Sequence, residues 1–178
     1  MISCFKIWLT KLSHHFIFVK HGSTSIGIKT NEGVVLGVEK KLASKLMEAA
    51  KSEKLVEIDK HCACAMSGIV GDARVLIDHA RVESQNHKFN YLEPLQIENI
   101  TQSVSDLAMN FGEGYAGSKR KPMARPYGVA LLIAGVDECG PQLFQTDPSG
   151  TYFEWQARAL QNMISSTARC VLILELVL

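Results

Sequence analysis

An α+β layering, two antiparallel sheets with helices laid outside them, is the fold class that this 178-residue sequence predicts. Three observations carry it. Short alternating strands joined by turn residues come first, two amphipathic helices follow, and further strands return after them in a meander. Around Gly68 an alternating strand gives way to a long helix, which sets the amides and side chains of that turn at a sheet edge. The length suits one domain with a sizeable core, and 47% hydrophobic with 21% charged residues is ordinary globular composition. A net charge of +1 supplies no field for nucleic acid or an anionic membrane, so neither is expected as a partner.

Residues 1–19 stand apart as an atypical N-terminal segment. Lys6, Lys11 and the pair His14-His15 break their apolar run, which is too polar for a signal peptide or a bilayer span, and no function is assigned to them. From Gly22 the pattern is regular. Residues 23–30 alternate as a strand, Asn31-Glu32-Gly33 supplies a hairpin turn, and residues 34–39 return as its partner. Residues 40–51, charged and Ala-rich, read as loop or short helix. Leu55, Val56, Glu57 and Ile58 form a short strand, and residues 62–67 a second one.

The first long helix rests on spacing. Val70, Ala73, Ile77, Ala80 and Ser84 recur at three- and four-residue steps as its buried stripe, while Asp72, Arg74, Asp78, Arg81 and Gln85 fall elsewhere. Ala73 and Ala80 allow close approach to a sheet beneath. Pro94 stands where a second helix can begin; its stripe is Ile97, Ile100, Val104, Leu107, Ala108 and Phe111, and Gly112 stops it. Residues 112–126 are the most loop-like stretch, and the basic run Lys119-Arg120-Lys121 reads as solvated rather than as an import signal or phosphate contact. Residues 127–136 are the near-continuous apolar run of a strand covered on both faces. Turns at 137–140 and 147–150 lead into strands at 142–146 and 151–156. After about residue 160 the pattern fails. Residues 161–178 form an atypical tail whose apolar end is half the length of a membrane helix and, as a terminal strand, an aggregation hazard unless covered.

The candidate chemistry is sparse. Cys4, Cys62, Cys64, Cys139 and Cys170 are odd in number and scattered, which favours a reducing compartment. Cys62 and Cys64 share a strand face, but His61 points to the other face and no second ligand pair sits at finger spacing, so core packing is preferred to metal binding. The six histidines form no paired motif with a carboxylate base, Asp78 and His79 suit a solvent-facing ion pair, and Asn99-Ile100-Thr101 matches a glycosylation acceptor on a predicted helix. The most informative candidate is Gly22-Ser23-Thr24. In N-terminal-nucleophile hydrolases a chain cuts itself before Ser, Thr or Cys, and the freed amine serves as base for that hydroxyl. Ser23 at the start of one strand, Glu39 at the end of its partner, Lys54 opening the next and Gly68 closing the one after can converge as nucleophile, carboxylate, lysine and oxyanion donor.

The run from Ser67 to Asp78 with Ala80-Arg81-Val82-Glu83, joined by Gly22-Ser23-Thr24, Arg125-Pro126-Tyr127-Gly128, Gly140-Pro141-Gln142-Leu143-Phe144 and Asp147-Pro148-Ser149-Gly150-Thr151, resembles proteasome alpha subunits over residues 20–158. The resemblance implies an N-terminal-nucleophile-hydrolase-like sandwich of two antiparallel sheets flanked by helix layers, with the domain at 20–160 and an incomplete C-terminal part. It implies a non-catalytic subunit without cofactor or metal, since the matching catalytic subunits carry a threonine and an aspartate where this chain has Ser23 and Glu39. Such subunits form the outer ring, entry gate and activator docking surface in ubiquitin-dependent protein degradation, in cytoplasm and nucleus, and have neighbouring alpha subunits and the beta ring as partners. By the same resemblance, Gly22, Lys54 and Ile69 line the inter-subunit pocket that receives the C-terminal tails of activators or regulatory ATPases. The chain reads as the middle of such a subunit with two foreign ends. Two alternatives stay open, a self-processing peptidase using Ser23 and a truncated fragment that does not assemble.

Overall fold

A computed structural model of the chain describes residues 22–39, 54–110, 125–160 and, as backbone alone, 172–177. The expectations for residues 1–19, 40–51 and 161–171, for Phe111 and Gly112, and for the Lys119-Arg120-Lys121 run lie outside the described residues.

Strands β1 (Ser25–Lys29) and β2 (Val34–Glu39) pair antiparallel, with Ser25 opposite Val38 and Lys29 opposite Val34. Their turn is closed twice by Thr30, whose backbone N–H and hydroxyl donate to the Gly33 carbonyl at 2.8 and 2.7 Å. Strands β3 (Leu55–Asp59), β4 (Cys62–Gly68), β5 (Val129–Asp137), β6 (Gly140–Thr146) and β7 (Tyr152–Glu154) form a five-stranded antiparallel sheet in chain order. The second sheet has four strands in the order β8-β1-β2-β9, where β8 is Ala157–Leu160 and β9 is Leu172–Val177.

The expected strand at 151–156 is therefore divided between two sheets. Trp155 is the pivot: its N–H donates to the Leu143 carbonyl in one sheet at 2.9 Å, while the next carbonyl, that of Gln156, accepts from Lys29 in the other at 2.7 Å. The Trp155 side chain packs into the core between the sheets, so the chain crosses there instead of extending the meander. The terminal strand β9 is covered along one side, its backbone pairing with β2 from Val34 opposite Val177 to Glu39 opposite Leu172.

Helices α1 (Val70–Tyr91) and α2 (Ile97–Met109) lie against the five-stranded sheet, which thus has a core on each face. Alternation along the strands divides the two. Cys62, Cys64 and Met66 of β4 and Val129, Leu131 and Ile133 of β5 face the helices; Ala63, Ala65, Ala130, Leu132 and Ala134 face the other sheet with Val34, Leu36, Val38 and Leu143. This double burial is why residues 127–136 read as one apolar run. It is also why Cys62 and Cys64 are core residues: burial pushes both thiols up, that of Cys64 to about 12.

Both helix stripes are broader than spacing predicts. In α1, Ala73, Ile77, Ala80 and Ser84 are buried, but so are Leu76 and Asp72, while Val70 in the first turn is exposed. In α2, Ile97, Ile100, Val104 and Ala108 are buried with Thr101 and Ser105, and Leu107 is partly so. Thr101 is accommodated because its hydroxyl donates to the Ile97 carbonyl at 2.8 Å. The helix ends at Met109, where the Asn110 N–H turns to the Leu107 carbonyl, ahead of the expected stop at Gly112. Its start is held from β5: the Asp137 carboxylate accepts the Ile97 N–H at 3.3 Å.

Candidate functional site: a glycine junction at the end of the sandwich

The strand-to-helix step is built by backbone geometry. Gly68 closes β4 with φ +126°, a conformation side-chain-bearing residues avoid, and a Cβ there would collide with the Gly128 carbonyl oxygen. The next residue, Ile69, is extended and caps α1; its N–H donates to that same carbonyl at 3.0 Å. The chain 125–128 thus lies alongside the first turn of the helix.

Asp72 fixes it there. Its carboxylate sits in the first turn, where the helix dipole favours negative charge, and takes both Arg125 guanidinium nitrogens at 2.7 and 2.8 Å and the Gly128 N–H at 3.0 Å. The bond to Asp72 holds the Arg125 guanidinium above its usual range, and burial followed by the Asp72 charge pushes the Tyr127 phenol up. Sequence spacing placed Asp72 off the buried stripe. The correction has a local cause: a bidentate partner and a backbone donor satisfy the carboxylate inside.

Residues 22–24 cover the junction from the other sheet. A Cβ on Gly22 would lie 2.5 Å from both the Gly68 nitrogen and the Ser67 hydroxyl, so only glycine allows this approach. Ser67 Oγ donates to the Ser23 carbonyl at 3.0 Å, and Ser25 Oγ to the Met66 carbonyl at 3.1 Å. The Glu39 N–H donates to the Thr24 carbonyl at 2.8 Å, and the Glu39 carboxylate accepts the Thr24 N–H at 3.2 Å. Ser23 and Glu39 are both buried. Lys54, half-buried, offers its carbonyl to the Met66 N–H at 3.0 Å.

Ser23, Glu39, Lys54 and Gly68, expected at one sheet edge, are therefore joined there through backbone contacts. Gly22 lies over Ser67 and Gly68, Ile69 follows directly, and Lys54 opposes Met66 one residue before them. Sequence reasoning missed Ser67, Asp72, Arg125 and Gly128 as the residues that hold this end. An acidic residue in a helix first turn was the available signal, and its partner lies in a distant loop.

The other candidates are structural. Asp78 pairs with Arg81 at 3.5 Å on the exposed face, whereas His79 turns to the Ser103 hydroxyl at 3.0 Å instead of joining an ion pair. His61 Nε2 lies 2.8 Å from the Leu95 carbonyl. Asp59 is buried; desolvation works against its charge, but the Ser84 hydroxyl at 2.8 Å, the Lys60 N–H at 2.7 Å and the charges of Lys88 and His61 hold its carboxyl below the usual range. Among the described residues no group of three or more His, Cys, Asp or Glu is placed to hold a metal ion, and no helix is long and apolar enough to cross a membrane.

Comparison with known proteins agrees with this architecture. The proteasome subunit family model matches residues 19–162. Over 142 residues the chain is 60% identical to the probable proteasome subunit alpha type-5 of Schizosaccharomyces pombe, covering 80% of this chain and 57% of that protein. It is 56% identical to the alpha type-5 subunit of Dictyostelium discoideum, over 76% of this chain and 56% of that one. Against the Drosophila melanogaster subunit it is 51% identical, over 80% and 58%. The chain thus spans little more than half the length of these relatives. With its N-terminal-nucleophile-hydrolase-like sandwich, the chain belongs to the proteasome subunit family, and alpha type-5 subunits are among its relatives.

Proposed function

We propose that the chain acts as a non-catalytic alpha-ring subunit of the proteasome core particle, contributing to the outer ring, the substrate entry gate and the activator docking surface in ubiquitin-dependent degradation in cytoplasm and nucleus. The observation that carries the non-catalytic reading is the similarity to subunits named alpha type-5, together with Ser23 and Glu39 where catalytic subunits carry a threonine and an aspartate. The Ser67 hydroxyl and the Glu39 carboxylate engage the backbone of Ser23 and Thr24 at that strand end. Ser23 is buried, and its carbonyl accepts from the Ser67 hydroxyl.

Gly22, Lys54 and Ile69 are the residues proposed to receive the C-terminal tail of an activator or regulatory ATPase. A half-buried lysine at a sheet edge suits a terminal carboxylate, a charge-assisted pairing in which Lys54→Ala is expected to weaken tail-peptide binding by about tenfold. Neighbouring alpha subunits and the beta ring are the partners in this reading. Co-expression with the other subunits followed by native mass analysis tests it: entry into the particle at full mass supports the structural role. Loss of residues 1–22 supports the peptidase alternative, and absence from every assembly supports the non-assembling fragment.

A further inference from the structure

Among the described residues the edge strands are β3 and β7 in one sheet and β8 and β9 in the other, and all but β9 carry a device against pairing with another chain. In β3 the register shifts between Glu57 and Asp59, and the Arg81 guanidinium donates twice to the Glu57 carbonyl, at 3.2 and 2.8 Å. The β7 strand is only three residues long, and its Glu154 is bonded to Lys29 at 2.8 Å. On β8, Arg158 lays its guanidinium 4.3 Å over the Trp155 ring and bonds the Gln145 side-chain oxygen at 2.8 Å, which puts a charge on that edge. By contrast β9, with the sequence Leu-Ile-Leu-Glu-Leu-Val, pairs with β2 along its whole length without a shift and contains no glycine, proline or basic residue.

We infer that the outer edge of β9 receives the same strand of a second copy of this chain, joining two four-stranded sheets into one continuous sheet. An antiparallel edge is its own complement: a two-fold axis normal to the sheet brings its outward N–H and C=O groups onto the C=O and N–H groups of the copy. That rotation keeps each face on its own side, so residues directly opposite share a face and their numbers sum to an even value. Two central registers meet this condition. One sets Glu175 against Glu175 of the second copy, like charge against like. The other sets Leu174 against Leu174 and Leu172 against Leu176, leaves each Glu175 opposite Ile173, and is therefore the register favoured. Leu172, Leu174 and Leu176 stand opposite Glu39, Gly37 and Val35 of β2, while Val34, Leu36 and Val38 belong to the core between the sheets. The leucine positions thus fall on the sheet face away from that core. This self-pairing goes beyond the subunit reading and does not depend on entry into a particle.

The test uses the purified full chain, with sedimentation velocity over a concentration series and disulfide trapping in a background of Cys4→Ser, Cys139→Ser and Cys170→Ser; Cys62 and Cys64 are buried and stay. A monomer–dimer equilibrium is expected. On mild oxidation Leu174→Cys is expected to link to itself, and Leu172→Cys mixed with Leu176→Cys to give the mixed dimer, since directly opposed strand residues lie within disulfide reach. Leu174→Lys sets one ammonium against another across the pair and is expected to raise the dimer dissociation constant about tenfold, with the melting midpoint unchanged. A chain that is monomeric throughout overturns the inference. So does a dimer that neither cysteine arrangement traps, one trapped only as Leu174→Cys with Leu176→Cys, the register centred on Glu175, or one that Leu174→Lys leaves intact. Should Leu174→Lys alter the melt, the trapping pattern decides. None of these outcomes bears on entry into the core particle, which the co-expression experiment reads separately.

Discussion

The two ends of α1 are built on opposite terms. At its start, Gly22, Gly68 and Gly128 bring three chain segments into backbone contact, and Asp72 binds Arg125 and the Gly128 N–H in one carboxylate. At its far end Phe89, Tyr91 and Leu92 stand in solvent, with Leu92 in the left-handed conformation and its N–H returned to the Lys88 carbonyl. One helix therefore joins a junction that tolerates almost no added atom to a surface that tolerates nearly any. A junction that must hold its shape and a helix end open to solvent have opposite packing needs, and one helix of 22 residues carries both.

The contrast is broken most severely at Gly68. Gly68→Ala adds a methyl against the Gly128 oxygen at a backbone angle alanine avoids, and is expected to cost on the order of 3 kcal/mol, read as a lower urea midpoint or loss of soluble protein. Asp72→Ala comes next. It leaves the Gly128 N–H without its acceptor and Arg125 without its carboxylate, at a cost of about 2 kcal/mol by the same measurement.

A smaller effect lies midway along the helix, where Ser84 bonds the buried Asp59. Because the folded carboxyl is held below its unfolded range, its contribution is present above the unfolded pKa and is lost as pH falls through the lowered folded pKa. Asp59→Asn is therefore expected to flatten the acid limb of the stability curve, and Ser84→Ala to cost about 1 kcal/mol at neutral pH. The smallest effect is expected at the open end. Val82→Ser or Phe89→Ser changes the stability of the isolated chain by no more than about 0.5 kcal/mol, and a larger loss in thermal or urea melts would mean that this face is packed within the chain.

Much of the fold is legible because hydrophobic period is a local property. Residues 34–39 read as a strand and are one, and Ala73, Ile77, Ala80 and Ser84 announce the buried side of α1 at three- and four-residue steps. The meeting of the strand ends at Ser23, Glu39, Lys54 and Gly68 was legible because ends of neighbouring strands share an edge, whereas Gly22, Lys54 and Ile69 were named together through the resemblance alone. Less was legible where a polar group is buried by a distant partner. Asp72 and Arg125 are 53 residues apart, and no periodicity couples a helix first turn to a loop ahead of a strand. The crossing at Trp155 was hidden for a related reason: residues 151–156 have a strand's composition, and the change of sheet depends on which carbonyls lie within reach.

The sequence by itself determined the layering, the turn chemistry and the family, because alternation, helical spacing and glycine placement act over a few residues at a time. Tertiary structure alone decided which sheet received each strand after residue 150, which acid went inside, and how closely residues 22, 68 and 128 approach. Those outcomes depend on hydrogen-bond partners and excluded volume between segments remote in the chain, and such partners exist only once the sandwich has closed.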